Sequence, residues 1–177
     1  PFSTRVIIFI SNFLQNHGLT LLLSLIALVI IFFVLIKQSK FAHFLLDKFI
    51  LKIPAVGGVV QYYNIANSTR TLGLLLKSGL TLNEALPITA RTTKNLVYQK
   101  EFLALSSVVN RGEKISSHLK TKRKIFPDVM HQIIAVGERS GNLAGSLVYL
   151  SELYESEVDD FTKNLSSLIE PVLMIFM

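Results

Sequence analysis

From Pro54 to about Ser166, apolar side chains return every three or four residues, in runs cut by glycine, serine and proline. No stretch alternates with the period of two that marks a strand, so the pattern predicts helices joined by short turns. Tyr62, Ile65, Ala66, Thr69, Leu72, Gly73 and Leu76 form one stripe, which Ser78-Gly79 stops. Thr81 with Glu84 three residues on is a capping-box signal for the next helix. Pro87 inside that stretch removes a hydrogen bond at a cost of about 3 kcal/mol, predicting a kink or a short helix. A third helix is expected from Asn95 to Arg111, burying Tyr98, Phe102, Leu105 and Val109 before Gly112. A short fourth covers Ile115 to Leu119. A fifth begins with Pro127 at its first helical position, carries Val129, Met130, Ile133, Ile134 and Gly137 on one side, and ends at Ser140-Gly141. Asn142 is a natural cap for the sixth and longest helix, whose stripe runs from Leu143 through Leu147, Leu150, Tyr154, Val158 and Phe161 to Leu165 and Leu168. The expectation is an all-α protein, a compact bundle of about six helices attached to transmembrane helices.

The attachment is read from a different pattern. Gly18 to Ile36 carries no charge over nineteen residues. As a helix it would reach about 28 Å, close to the hydrocarbon thickness of a bilayer. Before it, Val6, Ile7, Ile10, Phe13 and Leu14 share one stripe, as in a short helix resting among headgroups. After it come Lys37, Lys40, Lys48 and Lys52 against the single acid Asp47, and lysine accumulates on the cytoplasmic side. The expected organisation is 1–17 extracytoplasmic or interfacial, 18–37 a transmembrane helix, 38–53 a basic amphipathic membrane-proximal segment and 54–166 a helical cytoplasmic domain. The apolar run Leu168–Met177 is too short to cross a bilayer by itself, and 167–177 is read as the start of a truncated second span. This organisation predicts a multi-pass protein.

Composition narrows the chemistry. Among 177 residues, 50% are hydrophobic and the formal net charge is +6. Four of the lysines flank the apolar run, so anionic lipid explains the excess more simply than nucleic acid does. Cysteine is absent, which excludes disulfides, thiolate metal sites and cysteine nucleophiles. His17, His43, His118 and His131 lack the i, i+4 spacing of a helical zinc site, and no glycine-rich phosphate loop is present. No catalytic residue, cofactor or metal is expected.

The remaining candidates are surfaces. Gly137, Gly141 and Gly145 recur every four residues across the turn between the fifth and sixth helices, where they allow close packing or capping. Glu152, Glu155, Glu157, Asp159 and Asp160 form an acidic set, in which Glu155 and Asp159 share a face at i, i+4. It is a solvated face, a docking surface for a basic partner, or a weak calcium site if another chain supplies further oxygens. Lys120, Lys122, Arg123 and Lys124 offer the converse, for an acidic partner or lipid.

Order and spacing of short motifs then converge. They are Pro1-Phe2-Ser3-Thr4-Arg5, Lys52-Ile53-Pro54 with Val56-Gly57, Arg70-Thr71-Leu72, Ser78-Gly79, and Glu84-Ala85-Leu86. More specific are Phe126-Pro127, Ala135-Val136-Gly137-Glu138, Ser140-Gly141 with Leu143, Tyr154, Glu157-Val158, and Leu168 with Glu170-Pro171. In these the chain resembles the inner-membrane platform proteins of type II secretion and type IV pilus machines, the secretion F or pilus-assembly C family. Pro87 departs from the pattern after Glu84-Ala85-Leu86. The resemblance implies a helical cytoplasmic domain present in two copies, with three spans in all, and this chain is similar to the second copy. It further implies a non-enzymatic platform in the bacterial inner membrane, coupling a cytoplasmic assembly ATPase to polymerisation of pilin or pseudopilin subunits. Other inner-membrane assembly proteins, the lipid bilayer and further copies of the chain are the implied partners, without nucleic acid. A membrane-anchored helical signalling or adaptor module is the alternative.

Overall fold

The computed structural model describes residues 39–54 and 56–176, together with Thr20 and Ser24. The chain divides into two units, Pro1–His43 and Phe44–Met177. The run Gly18–Ile36 and the stripe before it lie outside the described residues, those two positions apart. Among the described residues no helix is long and apolar enough to cross a membrane.

Seven helices and no strand occur among the described residues: α1 (Lys40–Ile50), α2 (Val56–Lys77), α3 (Leu82–Thr92), α4 (Leu96–Asn110), α5 (Ile115–Thr121), α6 (Asp128–Ser140) and α7 (Leu143–Phe176). The protein is all-α, and α2 to α7 are the six helices that the periodicity predicts. Their boundaries follow local chemistry. Gly79, Gly112 and Gly141 hold φ of 93°, 74° and 72° after α2, α4 and α6, a left-handed turn that costs glycine nothing. The Asn95 side chain accepts the amides of Val97 at 3.0 Å and Tyr98 at 3.3 Å. At the head of α3 the Thr81 amide and hydroxyl both donate to Glu84, at 2.9 and 2.7 Å. These bonds hold the Glu84 carboxyl below its ordinary range. Pro87 lies inside α3, which is short at 11 residues.

Three details differ from the sequence expectation. Pro127 precedes α6 as its cap, with ψ of 153°, rather than occupying the first helical turn. Val129 at the start of α6 is 47% exposed, whereas Met130 and Ile134 are buried. In α4 the fully buried position is Val108, while Val109 packs half-buried against the core. The cause is common to the last two. A face about 100° wide admits only some of the apolar residues at its edge, and the neighbouring helix decides which.

Each helix from α2 to α7 packs against the next, and α7 closes the circuit by running along α2, the most extensive of these pairings. The interior collects Ile65 and Leu72, Leu86, Tyr98 and Phe102, Leu119, Phe126, Ile134, and Leu147 and Leu150. Phe126 meets Tyr98 and Phe102 edge to face, with centroids 5.7 and 6.3 Å apart. The buried polar side chains of α2 are met mainly by their own helix, with Ser68 also 3.3 Å from the Thr93 hydroxyl. Asn64, Ser68 and Thr69 donate to the carbonyls of Val60, Asn64 and Ile65 one turn back, at 2.7, 2.6 and 2.7 Å. Close approach of α2 to α7 requires Gly73, where an added Cβ would stand 2.9 Å from Val148 Cγ2 and 3.2 Å from the Ala144 carbonyl. Burial raises the phenol of Tyr98, whose hydroxyl donates to the Ile125 carbonyl at 2.9 Å. It pushes that of Tyr154, stacked 5.4 Å from Tyr62, up to about 12.

Helix α1 stands outside the circuit. Its Asp47 is buried and accepts the Leu96 amide at 2.7 Å, placing a carboxylate at the positive end of α4.

Candidate functional site

The residues singled out in the sequence lie on α5, α6 and α7 and on the turns that join them. Gly137 lies where α6 crosses α7: a Cβ there would sit 2.5 Å from Ser146 Oγ and 3.1 Å from Leu143 Cα. Gly145 is held against Asn142, whose Oδ1 accepts the Gly145 amide at 3.1 Å and caps α7. Gly141 makes the left-handed turn between the helices and has open space around it. The three glycines thus serve one hairpin by different means. Gly137→Val forces the helices apart or the Ser146 side chain out, and overpacking of this kind costs about 1–3 kcal/mol. Urea unfolding followed by circular dichroism reads that loss, and unchanged stability would refute the close packing.

Glu138, next in sequence, faces α5. Its carboxylate accepts the Ile115 amide at 2.6 Å, the Ser116 amide at 3.4 Å and the Ser116 hydroxyl at 2.5 Å. Lys114 at the cap position gives no side-chain cap, so Glu138 supplies from α6 the acceptor that α5 lacks locally. This arrangement engages both carboxylate oxygens in helix capping.

The charged sets are partly paired with one another's neighbours. Glu155 forms an ion pair with Arg70 of α2, with both side chains about half exposed. Asp159 lies one turn on, beside a shallow cleft that also includes Tyr63, Asn67 and Arg70. On the opposite charge, Lys122 binds Glu101 at 3.1 Å and Arg123 approaches Asp128 at 3.3 Å. Lys120 and Lys124 are exposed. The side chains of Glu170 and Pro171 lie outside the described residues, but the α7 backbone passes through both positions as helix.

Glu101 was not singled out by the sequence pattern. Its side chain is 9% exposed, and besides Lys122 it has His118 Nε2 at 3.5 Å. The signal was present: Glu101 interrupts the apolar stripe between Tyr98 and Leu105, and an acid at such a position must find a cation. Asp47 was marked as the lone acid of a basic segment, whereas Arg70 carried no comparable local sign of its partner. Among the described residues no group of three His, Asp or Glu side chains is arranged to hold a metal ion.

Similarity to known proteins decides the family. The family described as "Type II secretion system (T2SS), protein F" matches residues 68–177, from the middle of α2 to the end of the chain. The chain belongs to the type II secretion system protein F family. Its curated relatives include the type IV pilus assembly protein PilC of Pseudomonas aeruginosa, 33% identical over 98% of this chain and 46% of that protein. Another is the protein of the same name from Myxococcus xanthus, 32% identical over 100% and 42%. The type II secretion system protein F of Pseudomonas aeruginosa is 30% identical over 100% and 43%. The chain therefore spans less than half the length of these relatives. Within the protein F region lie the α6–α7 hairpin, the Glu138 contact to α5 and the Arg70–Glu155 pair.

Proposed function

We propose that the chain is part of a non-enzymatic platform in the bacterial inner membrane. There it couples a cytoplasmic assembly ATPase to polymerisation of pilin or pseudopilin subunits, in type IV pilus biogenesis or type II secretion. The observation that carries this reading is alignment of essentially the whole chain with relatives named for pilus assembly and for type II secretion. Lysine enrichment after Ile36 supports a cytoplasmic bundle, and the uninterrupted α7 supplies a stiff route from the bundle toward the segment around Glu170-Pro171. Its partners are then the ATPase, the fibre subunits, the other inner-membrane assembly proteins and neighbouring copies of the same protein. In this reading the acidic face of α7 and the basic segment Lys120–Lys124 are docking surfaces.

The contact is tested by placing photo-crosslinkers at exposed Lys120, Glu152 and Asp160 in the full-length protein within assembled machines. The expected result is a crosslink from at least one of the three to the motor ATPase, identified by mass spectrometry. Absence of ATPase crosslinks from all three in a machine that still assembles fibres would reject direct contact through these two surfaces.

A further inference from the structure

Between α1, α4 and the connection from α5 to α6 lies a groove of about 320 Å³. Its floor is apolar, formed by Phe44, Leu51, Val97 and Ile125. Four lysines rim it, Lys48 and Lys52 from the α1 side, Lys100 from α4 and Lys124 ahead of α6. All four are exposed, and none forms an ion pair among the described residues. Lys100 Nζ instead stands 5.6 Å from the centre of the Phe44 ring, over the groove. One acid reaches the lining, Glu101, and Lys122 at 3.1 Å already neutralises it. An apolar floor under uncompensated ammonium groups matches an anion joined to a hydrocarbon chain, not a free anion or a neutral oil.

The neighbouring face of α1 indicates where such a molecule comes from. Phe41, Leu45 and Phe49 recur at i, i+4, i+8 and are 72%, 49% and 63% exposed. Within α1, Leu45 and Phe49 neighbour the groove-lining positions Phe44 and Lys48, and Leu51 follows directly after the helix. An amphipathic helix with a basic flank rests in the headgroup layer, and the uncharged run Gly18–Ile36 precedes it directly. We infer that this groove binds a single anionic phospholipid. The lysine rim receives the phosphate, and the first part of an acyl chain lies along Phe44, Leu51, Val97 and Ile125. The inference rests on the membrane-attached reading above and deepens it, since the lipid becomes a ligand of the bundle and not only its surroundings.

The test uses the full 177-residue chain in a neutral detergent, titrated with dihexanoyl phosphatidylglycerol, dihexanoyl phosphatidylcholine or inorganic phosphate and read by native mass spectrometry. Phosphatidylglycerol should bind about tenfold more tightly than phosphatidylcholine, and K100Q/K124Q should remove about that factor. Both substitutions lie away from α1, so general attachment through α1 is kept, and a circular dichroism melt establishes that the bundle is intact. A separate pair, K48Q/K52Q, should give a similar loss. Equal affinity for the two lipids, or phosphatidylglycerol binding unchanged in both double variants, overturns the inference. So does competition by inorganic phosphate at equal concentration, which would reveal a plain anion site. Membrane fractionation and fibre assembly are scored separately. A chain that binds phosphatidylglycerol but supports no assembly keeps the lipid site and sinks the platform reading, while the reverse result does the opposite.

Discussion

A short glycine–serine insertion beside Ser166 abolishes fibre assembly while leaving the bundle folded. The expectation follows from α7, one helix of 34 residues from Leu143 to Phe176, about 50 Å long at 1.5 Å per residue. Its first part is fixed: Leu147, Leu150 and Tyr154 are buried in the core, and the pairing with α2 is the most extensive in the fold. In the proposed platform, a displacement of the bundle by a motor would be carried along α7 as far as Glu170 through its backbone hydrogen bonds, before Pro171, which donates none. A flexible insertion keeps the connection and removes its stiffness. The same linker placed in the exposed turn at Gly112 serves as control, because loops of this kind accept added length at small cost. Protein in the membrane fraction must be equal for both. Normal fibres from the Ser166 insertion would show that α7 transmits no force.

Phe126→Ala lowers the unfolding free energy by about 3–5 kcal/mol, the range for truncating a buried phenylalanine. Phe126 is 1% exposed and fills the space between Tyr98 and Phe102, so the cavity is bounded by rings that cannot collapse into it without losing their own edge contacts. Its neighbour Ile125 adds a second cost. The Ile125 carbonyl accepts from Tyr98 Oη at 2.9 Å and from Gln61 Nε2 at 2.8 Å, tying the α5–α6 connection to α4 and α2. A domain of this size has about 5–15 kcal/mol in all, so this one truncation removes a large fraction of its stability. Phe126→Leu retains most of the volume and should cost less than about 1.5 kcal/mol. Urea unfolding measures both, and an alanine variant as stable as the leucine variant would contradict the packing described.

Helix limits were legible in the sequence because the chemistry that sets them is local. Gly79, Gly112 and Gly141 end helices where the chain turns left-handed, and Asn95 and Asn142 accept amides two or three residues on. Such contacts are written within a few residues and can be read there. The contacts that place one helix against another are not. Asp47 reaches Leu96 across 49 residues, Glu138 reaches Ser116 across 22, and Lys122 reaches Glu101 across 21. No pattern in the chain names these partners, although the lone acid of a basic segment and the acid within the Tyr98–Leu105 stripe mark one end of two of them. The acidic and basic sets were visible as charge, but which members remain unpaired depends on Arg70 and Asp128, which other helices bring to them. The groove under Lys100 and Lys124 was invisible for the same reason, since its walls come from three separated segments.

The seven-residue α5 has no cap of its own and is too short to persist alone. It borrows Glu138 from α6, so the start of α5 depends on α6 being in place. Lys120 lies at the end of α5, and Lys122, Arg123 and Lys124 follow it in the connection to α6, held by the Glu101 and Asp128 pairs and by the Ile125 carbonyl contacts. Whatever loosens the packing of Gly137 on α7 therefore also weakens the hold of Glu138 on the start of α5. The helix that carries Lys120 thus owes its first turn to an acid in a hairpin more than a dozen residues away.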